Sequence, residues 1–457
     1  MSIAVHPNRA KILDVRETRA CPTPFEYREN RSGKIVIEGY AATWEPYDIL
    51  GGPDRGGWTE RIDQRAFDVT LATKPDLMLL VNHEGWPLAR TTTENLQVTR
   101  DMKGLKIRAQ LDPDDWDVQR LNHRRLDFLQ QDPSTRYSEH GVIPIDNTLI
   151  DHYGESIPDA GWFWDHAEER YKIAHDYIFV NYVCTGGKHY PLDFRRFRKA
   201  DLCASLGEPF KDHTALCQEL IDWVCELDIP GTFAFDSYFT NAPVLNHIHG
   251  KQLANGQPRG YVGALKFNRK LEYKGRLVKA SELTASIGPT TRKLLREGER
   301  QQWYFTCTLR IPEVKHKVRI LILWQGREDQ QARIIVVTNR IQWEASRIVR
   351  AYRHRWTGTE TFHRDGKQQL GMGDCQLRDG EGQTRHMHLV LLAYSLLVRQ
   401  LRQGRAYEWA YQKLTTIGEA CRAVLRETLR TTLAWAMDHA KDEVWSRQRV
   451  MAYLRLI

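Results

Sequence analysis

Between residues 141 and 267, short apolar runs alternate with longer runs that carry apolar residues at helical spacing. The strand-like runs are GVIPIDNTLI, DYIFVNYVC, GTFAFD and GYVGALKF, and the helix-like runs are HTALCQELIDWVCEL and TNAPVLNHIHG. This alternation is typical of α/β proteins, because strands that are apolar on both faces are buried only when helices cover the sheet. We therefore predict an α/β core in this part of the chain.

The flanking sequence predicts further parts. The first 112 residues hold four strand-like runs between Gly, Pro and Asp turns, namely KIVIEGYAATW, DLMLLVNHE, ENLQVTRD and GLKIRAQLD. Helical spacing follows in WDVQRLNHRRLDFLQQ. We predict a small, β-rich partial domain at 1–112, a helical lead-in at 113–139, the first part of the α/β core at 140–266, a β-rich insertion at 267–338 and C-terminal helices at 339–457.

The net charge of +8 is unevenly distributed along the 457 residues. Residues 1–112 carry 16 basic and 16 acidic side chains, so the remainder holds the whole excess, 50 against 42. A basic surface suits a polyanion, since neutralising phosphates releases counterions. Composition alone therefore favours, without establishing, a nucleic-acid partner.

The cysteine pattern and hydropathy predict a cytoplasmic protein. The eight cysteines include no C-x-x-C pair, so neither a zinc ribbon nor a disulfide framework is indicated. The N-terminal sequence has no apolar run of secretory type. The longest apolar stretch, Leu389 to Val398, is too short to cross a bilayer and is typical of a buried helix.

Two aspartates follow apolar strand-like runs of the α/β core. Asp146 ends the run Val-Ile-Pro-Ile, and Asp236 ends Phe-Ala-Phe. Strand ends are where open α/β sheets build their sites, and carboxylates are ligands that Mg²⁺ prefers. Either aspartate alone is as well explained as the first residue of a turn. A pair of metal ions would need a third acid.

Glu360 is the candidate third acid. It lies in a stretch dense in Arg, His and Lys that also contains Trp356 and Phe362. An acid among cations suits a metal site that must meet phosphate, although a solvated helix with Glu paired to Lys or Arg explains it equally. Asp365 is the alternative third acid. Asp151 and Asp165 lie in a polar stretch and are predicted to be solvated.

Four phrases together carry a resemblance: IPIDNTLIDHYG, YVCTGGKHYPLDFRRFRK, FAFDSYFTN and YRHRWTGTETFHRDGKQQLG. In this order, from about Trp116 to Leu397, they resemble the insertion-sequence DDE transposases whose third-acid helix bears a Y-R-E-K signature. The resemblance implies an RNase H-like core, a β-rich insertion, and cleavage and strand transfer of double-stranded DNA at transposon ends and target. It also implies two Mg²⁺ (or Mn²⁺) ions and a homodimer when two ends are synapsed.

The same resemblance assigns roles to residues of this chain. Asp146, Asp236 and Glu360 would be catalytic and would bind the metal ions. The predicted DNA-binding residues are Tyr352, Arg355, Arg364 and Lys367. One departure concerns the helix: the family places three residues between its Arg and Glu, whereas four separate Arg355 from Glu360. The interval from Glu360 to Lys367 does match.

A second resemblance covers residues 33–112, which resemble the start of tailed-phage prohead serine proteases. His83, in LVNHE, matches the catalytic histidine of that family. No serine occurs between Ser32 and Ser134, so the nucleophile that such a histidine would activate is missing. We interpret the segment as a truncated protease in which His83 is vestigial. His83 is equally well explained as an ordinary histidine at the end of a strand, without a function. The alternative function is a capsid-maturation protease, predicted to be inactive.

Overall fold

The computed structural model describes residues 26–29, 35–49, 53–55, 58–81, 84–111, 118–152, 154, 157–165, 168–297, 299–375, 377–401 and 410–439. The chain divides into two compact units, residues 1–120 and 121–457. Each unit has its own sheets.

The first unit is β-rich, as predicted. Strands β1, β2, β8 and β7 form one sheet in that order, and β3–β4 and β5–β6 are antiparallel pairs. All four predicted strand runs are confirmed by β2, β5, β7 and β8. The element bounds are β1 Glu26–Glu29, β2 Ile35–Thr43, β3 Tyr47–Ile49, β4 Trp58–Glu60, α1 Asp68–Ala72, β5 Met78–Val81, β6 Glu84–Arg90, β7 Leu96–Arg100 and β8 Gly104–Leu111.

The second unit contains the predicted alternation of strands and helices. Helix α2, Val118–Gln130, begins at the end of the first unit and continues into the second. The remaining bounds are β9 Val142–Asp151, β10 Gly161–Asp165, β11 Arg170–Val183, β12 His189–Phe197, α3 Ala200–Leu206, α4 His213–Glu226, β13 Thr232–Phe235, α5 Ala242–His249, β14 Gly260–Leu265, β15 Lys270–Tyr273, β16 Arg276–Lys279, α6 Ala280–Ser286, β17 Lys293–Glu297, β18 Arg300–Leu309, β19 Val318–Trp324, β20 Ile334–Thr338, α7 Ala345–Gln369, α8 Gly380–Gln400 and α9 Ile417–His439.

One mixed sheet organises this unit. Its strand order is β10-β11-β9-β13-β14-β20-β19-β18-β17, and β12 also pairs with β11. Strands β9, β13 and β14 are parallel neighbours, whereas the other pairs are antiparallel. Four strands of the predicted β-rich insertion, β17 to β20, extend the same sheet past β14. A small β15–β16 hairpin lies outside this path.

Helices cover the sheet because its central strands are apolar on both faces. Every residue of β13 and β14 is buried. Helix α7 packs on β9, β11 and β13, and α8 packs on β12. The ring of Phe362 on α7 meets Phe179 of β11 at 5.1 Å and Tyr394 of α8 at 5.1 Å between centroids. This aromatic contact holds α7 against β11, at the residue that pairs with Asp146 of β9.

No helix in the described part of the chain is long and apolar enough to cross a membrane. The stretch from Leu389 to Val398 lies within α8. Its predicted burial is only partly confirmed: Val390, Leu391 and Val398 are buried, whereas Leu389 is 48% exposed. Helix α8 therefore has an apolar face on the core and a face in solvent.

Candidate active site

The fold brings Asp146 and Asp236 to neighbouring strands. Strand β13 pairs with β9 in parallel, and the last pair in this register is Phe235 with Ile145. Both aspartates follow directly, so each is the next residue beyond the paired segment. Adjacent strands are about 4.8 Å apart, which places the two carboxylates close together on one edge of the shared segment.

The prediction that Asp146 ends its strand is wrong. Strand β9 continues to Asp151, and Asp146 pairs with Phe179 of β11. The apolar part of the run does end at Ile145, where polar residues follow, but the longer strand-like run GVIPIDNTLI already extends past Asp146. Pairing with β11 on the other side holds those polar residues extended. Only the pairing between β9 and β13 ends at Ile145.

Asp146 is buried and held by groups from α7. Its side chain accepts a hydrogen bond from Nη1 of Arg355 at 2.7 Å, and Oγ1 of Thr359 lies 3.4 Å from the same oxygen, Oδ2. The other oxygen, Oδ1, accepts from the backbone N–H of Asn147 at 3.1 Å. Arg355 is itself only 8% exposed, so this is an ion pair largely shielded from water.

Asp236 is half-buried and is oriented by the turn that follows β13. Its Oδ1 accepts hydrogen bonds from the backbone N–H groups of Tyr238 and Phe239 at 2.9 and 3.0 Å. Such side-chain-to-backbone bonds are the reason that Asp favours the start of a turn. Asp236 therefore fixes the turn through Oδ1. This does not conflict with its predicted place in the site, because both turn bonds are made by that one oxygen.

A glycine sets how closely α7 approaches the strands. A Cβ atom on Gly358 would lie 2.6 Å from Cγ of Pro144 on β9 and 2.6 Å from Cγ2 of Val183 on β11. Contacts this short do not occur between real side chains, so a residue with a side chain would move the helix outward. Gly358 thus fixes the distance from Arg355 and Thr359 to Asp146.

Glu360 does not share the helix face of Arg355. Residues four apart lie on one face of an α-helix, so Arg355 and Thr359 face Asp146 together. Glu360 follows Thr359 and is turned about 100° further round the axis. Helix α7 is uninterrupted from Ala345 to Gln369, so nothing in its backbone compensates for the extra residue between Arg355 and Glu360. The extra residue therefore turns Glu360 away from the face of Arg355. Glu360 is half-buried at this border.

The three acids nevertheless influence one another electrostatically. Burial raises the pKa of Asp146 to about 7, the positive charge of Arg355 opposes this, and the negative charges of Asp236 and Glu360 add to it. Burial lowers the pKa of Arg355, but Asp146, Tyr352 and Asp236 raise it overall. Asp146 is thus a carboxylate whose negative charge needs a nearby cation.

The site suits a divalent cation in its donor set. Carboxylate oxygens are hard ligands of the kind that Mg²⁺ takes, and a cation, the guanidinium of Arg355, already binds Asp146. Within the described ranges, however, no three His, Cys, Asp or Glu side chains are grouped closely enough to hold a metal ion. Asp146 and Asp236 follow paired residues of neighbouring strands, and the role of these two acids and Glu360 as metal ligands stays a prediction.

The prediction that Asp151 and Asp165 are solvated is confirmed for Asp151, which is exposed, and wrong for Asp165, which is half-buried. Both accept a bond from Nζ of Lys172, each at 2.9 Å, and Lys172 is only 8% exposed. Glu168 bonds the same amino group. Strands β9, β10 and β11 bring these charges together, which the polar local sequence did not indicate. Asp151 and Asp165 thus form a structural ion cluster beside the site.

The other predicted residues of α7 lie at different depths. Arg364 is exposed, with Nε 3.5 Å from Oδ1 of Asp365, the alternative third acid. Lys367 is exposed on the face of Glu360, and desolvation lowers the pKa of its amino group while Asp151 and Asp165 oppose this. Tyr352 is half-buried, its ring 5.8 Å from the guanidinium carbon of Arg355. Arg364 and Lys367 are therefore accessible to DNA, whereas Arg355 is occupied by Asp146.

Sequence reasoning missed a polar chain next to the site. Nδ2 of Asn147 donates to Oδ1 of Asp176 at 3.0 Å, and Nε2 of His213 lies 2.7 Å from Oδ2 of the same carboxylate. The ring of His213 stacks on Phe197 at 4.1 Å. Asp176 and His213 each stand at the start of an apolar run. Their place at the start of a predicted strand and a predicted helix was the only feature of the local sequence that set them apart.

The fold and site together define a mixed α/β domain with neighbouring carboxylates on its central strands. Residues 211–396 match a family described as transposase DDE domain, and residues 23–126 match one described as Caudovirus prohead serine protease. The chain thus carries both domains, as the two resemblances predicted. The transposase match contains Asp236 and Glu360 and begins after Asp146. Comparison with curated proteins finds no match. His83 lies outside the described residues.

Proposed function

We propose that the protein is a transposase that cleaves and rejoins DNA strands at the ends of a mobile element. The observation that carries the proposal is the parallel pairing of β9 and β13, which sets Asp146 beside Asp236. Residues 211–396, which include Asp236 and Glu360, match the transposase family. DDE transposases generally use divalent metal ions. We assign Mg²⁺, or Mn²⁺ in its place, to Asp146, Asp236 and Glu360.

Bound between these acids, a pair of divalent ions would activate a water or 3′-hydroxyl and stabilise the leaving oxygen of the phosphodiester. The protein residues position that chemistry. Backbone N–H groups orient Asp236 through one oxygen. Arg355 supplies positive charge at Asp146 and opposes the rise in the pKa of its carboxyl that burial causes. Oγ1 of Thr359 lies 3.4 Å from Oδ2 of Asp146, the oxygen that Arg355 also bonds, and Thr359 directly precedes Glu360 on α7.

DNA would be bound by the accessible cations of α7. Arg364 and Lys367 are exposed and suited to phosphate contacts. Arg355 would meet DNA only after leaving Asp146, and Tyr352, which is half-buried beside Arg355, keeps its predicted role in DNA binding as a proposal. A homodimer follows from the same function, because two transposon ends must be brought together. The seven described cysteines are free thiols, in keeping with the predicted cytoplasm.

A nicking assay tests this function. Supercoiled plasmid is incubated with the full chain and Mg²⁺ or Mn²⁺, and conversion to the open circular form is measured. We expect Asp146→Asn, Asp236→Asn and Glu360→Gln each to reduce nicking by about 100-fold or more, since each removes a charged ligand of the metal ions that would stabilise the reacting phosphate. EDTA should abolish nicking.

The matched control is Asp201→Asn, which removes an exposed carboxylate in the first turn of α3. It should nick like the parent protein. Thermal unfolding of every variant separates lost activity from lost structure. Metal-dependent nicking that survives Asp146→Asn in a folded protein contradicts the proposed site. A parent protein that never nicks contradicts the proposed activity.

Proteolysis is not proposed. The prohead protease match spans residues 23–126, and within it the chain has Ser32 but no serine after the histidine at position 83. A serine protease needs a hydroxyl nucleophile that its histidine can deprotonate. The protease-like segment therefore contributes no function to this proposal.

A further inference from the structure

A second site lies at the other end of the central strands. A cavity of about 360 Å³ opens where β9 and β13 begin, beside Val142 and Thr232. The first turns of α7 form its opposite wall, with Arg347, Arg350 and His354. Neither aspartate of the candidate active site is among the residues that line this cavity.

The cavity concentrates positive charge. Arg347 and Arg350 are exposed, and His140 and His354 also line the space. No acidic side chain is among the lining residues. Nη2 of Arg347 lies 3.4 Å from Nδ1 of His140, so these two side chains contact each other at the edge of the cavity. An anion is the ligand that such a lining would stabilise.

The acids next to the lining residues in sequence do not themselves line the cavity. The acids that flank the lining in sequence, Glu139 and Glu344, are exposed, and Glu139 accepts from Nε2 of Gln257 at 3.4 Å. The charge of Arg350 adds to desolvation in lowering the pKa of His354. Like charges therefore oppose one another here.

An aromatic side chain orders one of the two arginines. The guanidinium carbon of Arg347 lies 4.1 Å from the ring centroid of Trp343, which also lines the cavity. Stacking on an aromatic face leaves the N–H groups at the edge of a guanidinium available for a phosphate. Thr185 and Ser346 add hydroxyl groups to the same wall.

The distance to Asp146 suggests which anion binds. Val142 and Asp146 are four residues apart on one strand, or about 13 Å. One strand of duplex DNA rises about 3.4 Å per phosphate, so this span is about four base pairs. Helix α7 lines the cavity with its first turns and meets Asp146 with the turns that follow. A duplex that reacts at Asp146 would therefore bring other phosphates to the cavity.

We propose that this cavity, through Arg347 and Arg350, binds the phosphate backbone of the DNA about four base pairs from the reacting phosphodiester. The proposal rests on the proposed function for the identity of the polyanion. It adds two phosphate contacts to those assigned to Arg364 and Lys367. These contacts hold the duplex in register and carry no sequence information.

The test measures DNA binding without cleavage. The full chain is titrated into a fluorescently labelled 30-base-pair duplex in EDTA, and anisotropy is followed at several salt concentrations. For Arg347→Ala/Arg350→Ala we expect affinity about 10-fold weaker at low salt and a plot of log affinity against log salt shallower by about 2, one unit per lost phosphate contact. Arg347→Lys/Arg350→Lys should recover most of the slope.

The charge-matched control is Arg422→Ala/Arg426→Ala on the exposed side of α9. It removes two positive charges and should leave the slope unchanged. An unchanged slope in a folded Arg347→Ala/Arg350→Ala protein overturns the proposal, as does a parent chain that binds no DNA. Calorimetry with inorganic phosphate covers the remaining case: loss of phosphate binding with an unchanged DNA slope would assign the cavity to a small phosphate ligand and also overturn it.

This outcome is separable from that of the nicking assay. A shallower slope without nicking supports the cavity and contradicts the proposed activity. If the parent protein nicks DNA but the salt slope of Arg347→Ala/Arg350→Ala is unchanged, the proposed activity is supported and the proposed role of the cavity is contradicted. Because EDTA prevents metal-dependent cleavage, the binding measurement does not depend on which carboxylates hold metal.

Discussion

At the residue scale, the central contact is the ion pair between Asp146 and Arg355, which are 209 positions apart. The sequence indicated each residue separately, as an acid after an apolar run and as part of a Y-R-E-K signature. It could not indicate that they bind each other, because that contact depends on how α7 crosses β9. The same holds for Lys172 with Asp151 and Asp165.

The raised pKa of Asp146 predicts a pH dependence of stability. Its carboxyl has a pKa of about 7 in the folded protein, against an ordinary value near 3.8. Between these values the folded state keeps a proton that the unfolded chain has released. The resulting stabilisation is complete below about pH 4 and is lost as pH rises through 7.

The measurement is urea unfolding in EDTA at pH 5, 6, 7 and 8, for the parent protein and Asp146→Asn. Going from pH 7 to pH 5, the free energy of unfolding of the parent should rise relative to the variant, by at most about 1.4 kcal/mol per pH unit. A difference that stays constant with pH would show that the carboxyl titrates normally.

The position of Thr359 leads to a second prediction. This fully buried residue faces Asp146 one position before Glu360. Thr359→Glu would add a carboxylate on the face that meets Asp146, so we expect Mn²⁺ to bind about 10-fold more tightly, because the affinity of a cation site rises with the number of charged ligands. Calorimetry measures this affinity. Thr361→Glu, which adds the same acid two positions further along α7, is the control, and equal gains from both variants would contradict the assignment.

At the element scale, periodicity predicted most of the strands and helices of the α/β core. Strands β9, β11, β13 and β14 and helices α4 and α5 form where the apolar runs indicated. The run GVIPIDNTLI predicted nearly the whole of β9, but not that β13 would pair with it only as far as Ile145 while β11 pairs with it beyond Asp146. Strand β10 was also missed. Its sequence GWFWD pairs only with the first residues of β11.

The closeness of α7 to the sheet is tested by Gly358→Ala. The added methyl group would overlap Pro144 and Val183, and overpacking of this kind costs about 1–3 kcal/mol. Better helix propensity returns about 1 kcal/mol, so we expect a net loss of up to about 2 kcal/mol in the free energy of unfolding. Mn²⁺ affinity should also fall as Thr359 and Glu360 move outward.

Gly418→Ala provides the comparison in α9. A Cβ there would lie 3.4 Å from Nη1 of Arg422, the flexible end of a side chain, so the variant should be neutral or slightly stabilising. Denaturant unfolding measures both changes. If Gly358→Ala is as well tolerated as Gly418→Ala, then α7 can move away from the sheet at little cost. In that case Gly358 does not fix the distance from Arg355 and Thr359 to Asp146.

At the scale of the whole molecule, the sequence predicted two parts of different origin, and the two family matches confirm them. It also predicted a β-rich insertion before the third acid. It did not predict that β17 to β20 would continue the central sheet, because strand order depends on contacts between distant segments. Local periodicity identifies strands but not their neighbours.

The most direct test of the account is the position of Mn²⁺ in crystals of the full chain soaked with that ion, located by its anomalous scattering. We predict a peak about 2.1 Å from carboxylate oxygens of both Asp146 and Asp236, with Glu360 turned toward it and Arg355 displaced from Asp146. Mn²⁺ bound elsewhere, or an Asp146 that stays paired with Arg355 at saturating Mn²⁺, would contradict the proposed catalytic site.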